Sequence, residues 1–385
     1  MNLADIIGNE ESRLARFPVA REKVFLSHAA VTALPHCAAQ AMADYAYSSC
    51  KDHQEFPEFM ETMNETRRLS ANLIGAEFSE IALLGPTSLG LSLFAKGISW
   101  EPNDEVICYL DDYPANVYPW MELVRNNKGS IEKIDSCNEK SITEKLIYRI
   151  NEQVIAVAIP NIRWTDGYVL DLERISIACK NYDVKLILDL TQSAGAMEID
   201  LSKIKPDFAI IANYKWMLGP YSTGFMYVSD NFIEGIPLEE TWIGRKNSED
   251  FSKLTVYQSE YNFDSIRFDM GQRANFTLMP GVMAALEQLH DWGIKNIENT
   301  LYENNKIICK GLNELGFDIL EENKRAPHFI SAKLPGLDGN LVIKKLKMNN
   351  IFISERSGYL RITPHLWNNE QDFLKLLECL KLIIN

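Results

Sequence analysis

Short runs of apolar residues alternate with amphipathic stretches through the first two thirds of the chain. The runs are apolar throughout rather than at every second position, which is typical of strands covered on both faces. The sequence predicts six such strands: EIALLG (residues 80–85), DEVICYL (104–110), QVIAVAIP (153–160), VKLILDL (184–190), DFAIIAN (207–213) and GFMYVSD (224–230).

The stretches between these runs have helical spacing. They include PTSLGLSLFAKGI (86–98), NVYPWMELVRNN (116–127, which we expect to be broken near Pro119) and DLERISIACKNY (171–182). Strands that alternate with helices predict an α/β fold, with a mostly parallel sheet sandwiched by helices. Ligands of such sheets bind beyond the carboxyl ends of the strands, so candidate chemistry is sought there.

The pattern changes after RFDMGQ (267–272). A long helical region covers about 278–315, interrupted near Gly293. Short strands follow in FISAKL, IFISER and YLRITP, and EQDFLKLLECLKLII predicts a closing helix. We therefore expect a large domain over residues 20–275. A smaller α+β domain would be formed by residues 1–19 and 276–385.

Composition and charge narrow the class of partner. The 385 residues carry a formal net charge of -14, which repels phosphate backbones, so nucleic acid is not an expected partner. The seven cysteines are scattered without a C-x-x-C pair, as in proteins of a reducing compartment. The first residues lack the apolar core of a signal peptide, and no apolar run is long enough to cross a bilayer. The expectation is a cytoplasmic protein without a membrane partner.

Hydroxyl side chains follow the first predicted strand. Thr87 and Ser88 open the next helix, where free backbone N–H groups and the helix dipole suit a phosphate. Simple capping of the helix would explain the same residues. The stretch matches neither a Walker A loop nor a G-x-G-x-x-G fingerprint, so a nucleotide site lacks its usual signature.

Polar residues also follow later strands. Tyr113 comes after the second strand, where its ring either stacks on a flat ligand or packs on the sheet rim. Asp189 lies in an apolar strand with Gln192 close behind, and Lys215 ends the next strand. Both charges need compensation if they are buried. They form an ion pair, or they hold opposite parts of one molecule.

The segment LDLTQSAGAMEIDLSKIKPDFAIIANYKWMLGPYSTGFMYV (188–228) combines these features with a GP…G turn. In this ordered set the chain resembles the fold-type I pyridoxal-phosphate (PLP) enzymes, and within them the class V aminotransferase family. That family includes cysteine desulfurases, selenocysteine lyases, kynureninases and isopenicillin N epimerase-like proteins. The resemblance extends from VFLSHAAVTALP (24–35) to RITPHLWNN (361–369).

The resemblance implies roles for residues around a bound pyridoxal 5'-phosphate. Lys215 is similar to the family's Schiff-base lysine, which also moves the Cα proton of the substrate. Asp189 is similar to the partner of the pyridinium nitrogen. Gln192 and Asn161 match residues near the phenolic oxygen of the ring.

The remaining cofactor residues follow from the same resemblance. Tyr113 stands where the family places a stacking ring. Thr87 and Ser88 match the phosphate-binding turn, and Tyr214 adds a donor there. TWIGRK, which contains Trp242, and RFDMGQRANF resemble segments that family dimers lend to the neighbouring active site, where Asn275 or Thr277 would reach the partner's phosphate. This implies a homodimer with its active sites at the interface.

The substrate side is implied by YLRITPHLWNN. Arg361 there resembles the arginine that binds the α-carboxylate of an amino acid through a bidentate fork. Asn116 and Trp242 are the other candidate substrate-binding residues. The six histidines show no metal-ligand spacing, so no metal is expected. His28 or His365 either faces the pocket or is a structural histidine.

Two departures from the family pattern bear on the reaction. FISERSGYLR leads straight to Arg361 without the cysteine-bearing loop of the desulfurases, and Asn116 replaces an aspartate of the kynureninases. We expect removal of the Cα proton followed by β-elimination of a C–S or similar bond. Transamination, epimerisation, and a non-catalytic protein of the same fold stay open as alternatives. An NAD-dependent dehydrogenase is disfavoured by the missing glycine fingerprint.

Overall fold

The computed structural model describes residues 3–52, 56–109, 111–134, 141–272 and 275–384. Its strands are β1 (Val24–Phe25), β2 (Ile81–Leu84), β3 (Glu105–Tyr109), β4 (Ser130–Ile134), β5 (Val154–Pro160), β6 (Lys185–Asp189), β7 (Phe208–Ala212), β8 (Gly224–Val228), β9 (Asp318–Ile319), β10 (Ile330–Lys333), β11 (Ile351–Phe352), β12 (Ser354–Arg356) and β13 (Tyr359–Ile362). Its helices are α1 (Leu3–Gly8), α2 (Glu10–Arg16), α3 (His36–Ser48), α4 (Phe56–Ile74), α5 (Thr87–Gly97), α6 (Pro114–Asn127), α7 (Ile142–Arg149), α8 (Leu172–Asn181), α9 (Leu201–Ile204), α10 (Met279–Trp292), α11 (Ile294–Glu314), α12 (Gly339–Met348) and α13 (Glu370–Ile384).

A seven-stranded sheet forms the centre of the molecule, in the order β2-β8-β7-β6-β5-β3-β4. The five strands from β7 to β4 run parallel, and only β8 is antiparallel to its neighbours β2 and β7. The predicted mostly parallel sheet is confirmed, and so are its six predicted strands. The seventh strand, β4, was not predicted, because SIEKI has only two apolar residues and is largely accessible at the sheet edge.

Helices cover both faces of this sheet. Two consecutive residues of β3 illustrate this double coverage. Val106 packs with Trp120 of α6 on one face of the sheet. Ile107 belongs to the core on the other face, which contains Leu286 of α10. All four of these side chains are almost completely buried. Double coverage explains the continuous apolar runs, because a strand with no solvated face has no position for a polar side chain.

The predicted break near Pro119 is wrong. Helix α6 continues through this proline to Asn127. Pro119 lacks the N–H that would bond to the carbonyl of Ala115, so the helix loses one hydrogen bond there. The next residue, Trp120, is fully buried against the sheet, and this packing holds the helix together across the missing bond.

A second, antiparallel sheet has the order β12-β13-β10-β9. Helices α11, α12 and α13 pack on it around a core of their own. As predicted, the long helical region divides at Gly293, which has a φ of 75° between α10 and α11. The predicted closing helix is α13.

The chain termini and the β1 strand join these parts. Strand β1 pairs in parallel with β11, and Phe17 packs on Trp292 and Trp367, with ring centroids 5.8 and 5.0 Å away. The apolar face of α10 belongs to the core of the central sheet. The domain boundaries at 19/20 and 275/276 stay a prediction.

None of the helices among the described residues has the length and apolarity to cross a membrane.

Candidate active site

A tight turn after β7 carries Lys215. The turn closes through two backbone hydrogen bonds: Leu218 donates to the Lys215 carbonyl at 3.0 Å, and Gly219 donates to the Asn213 carbonyl at 2.8 Å. Leu218 has a φ of 58°, in the left-handed region. The turn therefore directs the Lys215 side chain to the carboxyl end of the sheet.

The neighbouring strand β6 ends at Asp189, and its following loop packs directly on the lysine turn. Gly195 of that loop has a φ of 91°, and a Cβ atom there would lie 2.3 Å from the Trp216 carbonyl oxygen. Only glycine allows both this backbone conformation and this close approach. The Thr191 hydroxyl accepts a hydrogen bond from the Ala212 N–H at 3.1 Å and joins the two strand ends.

The amine of Lys215 is unusual because it is buried. Lys215 is only 8% exposed, and this burial lowers the pKa of its amine from 10.5 to about 8. The Asp189 carboxylate opposes this shift, while the guanidinium groups of Arg361 and Arg356 add to it. Much more of this amine is therefore uncharged near neutral pH than of an exposed lysine, and the uncharged form is the nucleophile and base.

Six of the candidate residues line one pocket, which we call the Lys215 pocket. They are Thr87, Tyr113, Asp189, Gln192, Tyr214 and Lys215. The Lys215 Nζ lies 5.5 Å from the centre of the Tyr113 ring and 5.7 Å from that of Tyr214. Residues from four different strand ends thus converge at one edge of the sheet, as the strand-end rule predicts.

Asp189 and Gln192 are held by specific hydrogen bonds. The Thr191 N–H donates to the Asp189 Oδ1 at 2.9 Å. Gln192 accepts from the Trp216 Nε1 at 2.9 Å and donates to the Ala29 carbonyl at 3.1 Å. The amide nitrogen of Gln192 carries two N–H groups, so one is left for a ligand.

The N-terminus of α5 meets the pocket at Thr87. The residue before it is Pro86, which supplies no side-chain hydrogen bond to cap the helix. Simple side-chain capping therefore does not account for this helix start, and its first N–H groups suit an anion. Ser88, the second residue of the helix, is exposed and does not line the pocket.

Arg361 lies on β13 beside the pocket. Arg361 is only 2% exposed. Its Nε donates to the Ser354 hydroxyl at 3.0 Å, and its Nη1 donates to the Trp164 carbonyl at 2.7 Å. Trp164 also lines the Lys215 pocket. In the described part of the chain no carboxylate forms an ion pair with Arg361, and burial together with Arg356 lowers its pKa to about 10. A buried cation without an anionic partner is costly, which makes Arg361 a candidate binding site for an anion.

Asn161 does not line the Lys215 pocket, and its role near the cofactor stays a prediction. Asn161 lines a separate cavity with Leu170 and Met197, because Pro160 and Ile162 on either side of it face the Lys215 pocket instead. Side chains alternate along an extended chain, so the three cannot share one side.

Asn116 is fully buried, and its Nδ2 donates to the Asp112 Oδ2 at 2.6 Å. It positions another side chain, and a role in substrate binding for Asn116 stays a prediction.

The two candidates for the neighbouring subunit lie at the surface of this chain. Trp242 is 40% exposed and packs edge-on against Phe251, with ring centroids 5.4 Å apart. Asn275 is exposed, and its Oδ1 accepts from the Leu278 N–H at 3.2 Å near the start of α10. Their roles in a neighbour's site stay predictions.

Sequence reasoning missed Asp112, Trp164 and Arg356. Asp112 lines the Lys215 pocket, and burial raises its pKa to about 7 against the hydrogen bonds from the Tyr113 N–H and the Asn116 side chain. The strand-end rule could have found Asp112, since it follows β3 in the sequence DDY. Trp164 and Arg356 carry no such signal, because only the folded chain brings their loop and strand to the site.

Three buried histidines surround Trp216 beneath the lysine turn. The ring centroids of His28 and His328 each lie 4.3 Å from that of Trp216, and His365 lies 4.5 Å from His28. Burial lowers the pKa of all three, so they are neutral. His328 also bonds to the Gln192 carbonyl at 2.7 Å. Their place is structural, and the described residues hold no cluster of His, Cys, Asp and Glu arranged for a metal.

Comparisons with known proteins agree on one family. The family model "Aminotransferase class-V" matches residues 24–361. A probable cysteine desulfurase of Pyrococcus abyssi is 24% identical over 89% of this chain and 86% of its own length. An uncharacterized aminotransferase of Bacillus subtilis is 23% identical over 92% and 93%. The solved structure of the cystine C-S lyase C-DES with its product cysteine persulfide has a TM-score of 0.87 at 18% identity, covering 95% of this chain and 99% of that one.

Proposed function

The chain belongs to the class-V aminotransferase family, and from this premise we propose that it is a PLP-dependent lyase that eliminates a group from Cβ of an α-amino acid. A C–S bond, or one of similar reactivity, is the proposed point of cleavage. One observation carries the proposal. A lysine with a lowered pKa and a buried arginine without a carboxylate partner flank the same pocket.

The residues of the Lys215 pocket fit pyridoxal phosphate. The uncapped start of α5 at Thr87 suits its phosphate, the Asp189 carboxylate suits its ring nitrogen, and the Tyr113 ring provides an aromatic face. Gln192 has one N–H left for the phenolic oxygen. When bound, this cofactor withdraws electrons from Cα of an amino acid and so makes its proton removable.

Lys215 is the proposed acid and base. Its amine has a pKa of about 8, so near neutral pH it can both accept the Cα proton at Nζ and return it. Burial of the side chain excludes water, which keeps that proton at the site. The negative charge of the Asp189 carboxylate stabilises the protonated amine.

Arg361 is the proposed site of the α-carboxylate. Ser354 and Trp164 take two of the five N–H groups of its guanidinium. Groups on Nη1 and Nη2 are left, which is enough for a bidentate bond to one carboxylate. Those two partners also fix the plane of the guanidinium, so the bound amino acid has one orientation.

Elimination is favoured over persulfide transfer by the cysteines of this chain. The cysteines nearest to Arg361 in the sequence are Cys309 and Cys379. Both lie on helices that pack in the core of the smaller sheet, α11 and α13. No thiol follows β12 in the position that a persulfide carrier would need, whereas elimination requires only a leaving group at Cβ.

Transamination and epimerisation are the alternatives from the same site. They differ only in where the proton of Lys215 returns. A non-catalytic protein of this fold is a further alternative, and joint retention of Lys215, Asp189, Gln192 and Arg361 speaks against it. The proposal therefore needs a test that separates products.

A panel of amino acids incubated with the holoenzyme provides that test. Pyruvate and ammonia released in equal amounts from an amino acid with a Cβ leaving group is the expected result. Lys215→Ala should abolish the release, and exposed Lys203→Ala is the matched control. Formation of a keto acid only in the presence of an amino acceptor, or loss of optical activity without ammonia, would contradict elimination.

We also propose a homodimer. Large apolar side chains are exposed along residues 236–276, with Ile236 75%, Tyr257 91% and Phe263 79% accessible. Trp242 and Asn275 lie in or beside this segment, as their proposed role in a neighbour's site requires. Sedimentation should give the mass of a dimer, and Tyr257→Asp should weaken it. A wild-type protein that sediments as a monomer would contradict the proposal.

The proposed location is the cytoplasm. The six cysteines in the described residues are all free, as expected in a reducing compartment. Cell fractionation should recover the protein with the cytosol. Recovery from a membrane or from outside the cell would contradict this.

A further inference from the structure

A second arginine shares the sheet face of Arg361. Strand β12 pairs antiparallel with β13, with Ser354 opposite Arg361 and Arg356 opposite Tyr359. Side chains two residues apart on a strand lie on the same face, so Arg356 shares the face of Ser354 and Arg361. It is the diagonal neighbour of Arg361 across the strand pair, a separation that long side chains bridge.

Neither arginine has an anionic partner within the described ranges of the chain. Arg356 donates from Nη1 to the Glu355 carbonyl at 2.6 Å, which is a neutral acceptor. The Glu355 carboxylate belongs to the opposite face of the strand and accepts from the Gly358 N–H. Two arginines without an anionic partner therefore share one face of this strand pair, and the charges of both act on the amine of Lys215.

Electrostatics support the same placement. The charge of Arg356 lowers the pKa of Lys215 and also that of Arg361. The α-carboxylate of an amino acid neutralises only one of these cations. Since Arg361 keeps enough N–H groups to hold that carboxylate alone, Arg356 is left for a second anion.

We propose that Arg356 determines specificity by binding a second anionic group on the side chain of the amino acid. The substrate class is then an amino acid with a carboxylate, sulfonate or phosphate on a short side chain. This inference rests on the proposed function, because it takes Arg361 as the site of the α-carboxylate. Arg356 is half-buried, so its guanidinium is not sealed inside the protein.

Binding to the holoenzyme tests the inference without turnover. The probes are O-phospho-L-serine and L-aspartate, with L-serine and L-asparagine as neutral counterparts. Affinity is measured from the change in the cofactor's absorption on titration, and again from the thermal shift of the protein. The variants are Arg356→Gln and Arg356→Lys, with exposed Arg174→Gln as the control, an arginine that pairs with Glu144 on the helix layer.

The expected result is selective. Arg356→Gln should weaken the binding of both anionic amino acids about 10- to 100-fold, which is the range of a charged hydrogen bond. The affinities for L-serine and L-asparagine should not change. Arg356→Lys should recover part of the loss because it keeps the charge. Arg174→Gln should match the wild type.

Two results would overturn the inference while leaving the proposed function intact. In one, the wild type binds serine as tightly as phosphoserine. In the other, Arg356→Gln weakens all four amino acids equally, which would mean that both arginines hold the α-carboxylate. If none of the four perturbs the wild-type spectrum, the inference fails, while the product panel described above decides the proposed function separately.

Discussion

The charge state of Lys215 is the property on which the proposed chemistry depends. Burial places its pKa at about 8 instead of 10.5. At pH 8 about half of its amine is uncharged, against ~0.3% for an exposed lysine, so the uncharged fraction is ~150-fold larger at Lys215. Two substitutions should move this pKa in opposite directions. Asp189→Asn removes the anion that raises it, and Arg361→Gln removes a cation that lowers it.

Competitive reductive methylation of the cofactor-free protein measures this pKa. The reaction is followed from about pH 6 to about pH 11 by mass spectrometry of the peptide that contains Lys215. We expect a midpoint near pH 8, moved down by about one unit or more in Asp189→Asn and up in Arg361→Gln. Exposed Lys203 in the same digest is the internal control. A midpoint near 10.5, or shifts of the same sign in both variants, would refute the reasoning.

Three further substitutions test the surroundings of the site. Gly195→Ala should cost about 2 kcal/mol or more and weaken cofactor binding, since its Cβ would meet the Trp216 carbonyl at 2.3 Å; a melting temperature equal to the wild type would contradict this. Asp269→Ala leaves the fully buried Arg67 without its partner at 2.6 Å and should cost about 3–5 kcal/mol in urea unfolding, so a loss below 1 kcal/mol would be evidence against a buried pair. His365 has a pKa lowered to about 3 by burial and by a neighbouring histidine, so the unfolded chain binds a proton below its usual pKa of 6.5 and the folded chain does not. As the pH is lowered from 6.5 to 3, this group should therefore reduce the free energy of unfolding by about 1.4 kcal/mol per pH unit. If His365→Gln has the same dependence of stability on pH as the wild type, His365 does not contribute to it.

The central sheet was predictable because its strands are covered on both faces. All five residues of β7 are buried, so the strand appears in the sequence as a continuous apolar run whose position can be predicted. The end of each strand is then known, and with it the meeting of Asp189 and Lys215 at one edge of the sheet. The edge strand β4 was missed because it has only two apolar residues among its five and only one of the five is buried.

The rest of the site depends on pairings that sequence spacing does not reveal. Arg356 joins the site only because β12 pairs with β13 in a register that places it on the face of Arg361. Asn161 lines a different cavity from its neighbours Pro160 and Ile162, which sequence spacing alone does not show. Gly195 is needed only where a separate turn passes 2.3 Å from its missing Cβ. Each of these depends on strand register or on a contact in the folded chain, which residue spacing alone does not give.

The attachment of the cofactor to Lys215 is the central claim and can be measured directly. Purified protein supplied with pyridoxal phosphate is reduced with borohydride, digested and examined by mass spectrometry. The account predicts a yellow protein and the reduced cofactor on the single peptide that contains Lys215, with no cofactor fixed covalently in Lys215→Ala. A colourless protein that takes up no cofactor, or a cofactor fixed on another lysine, would contradict it.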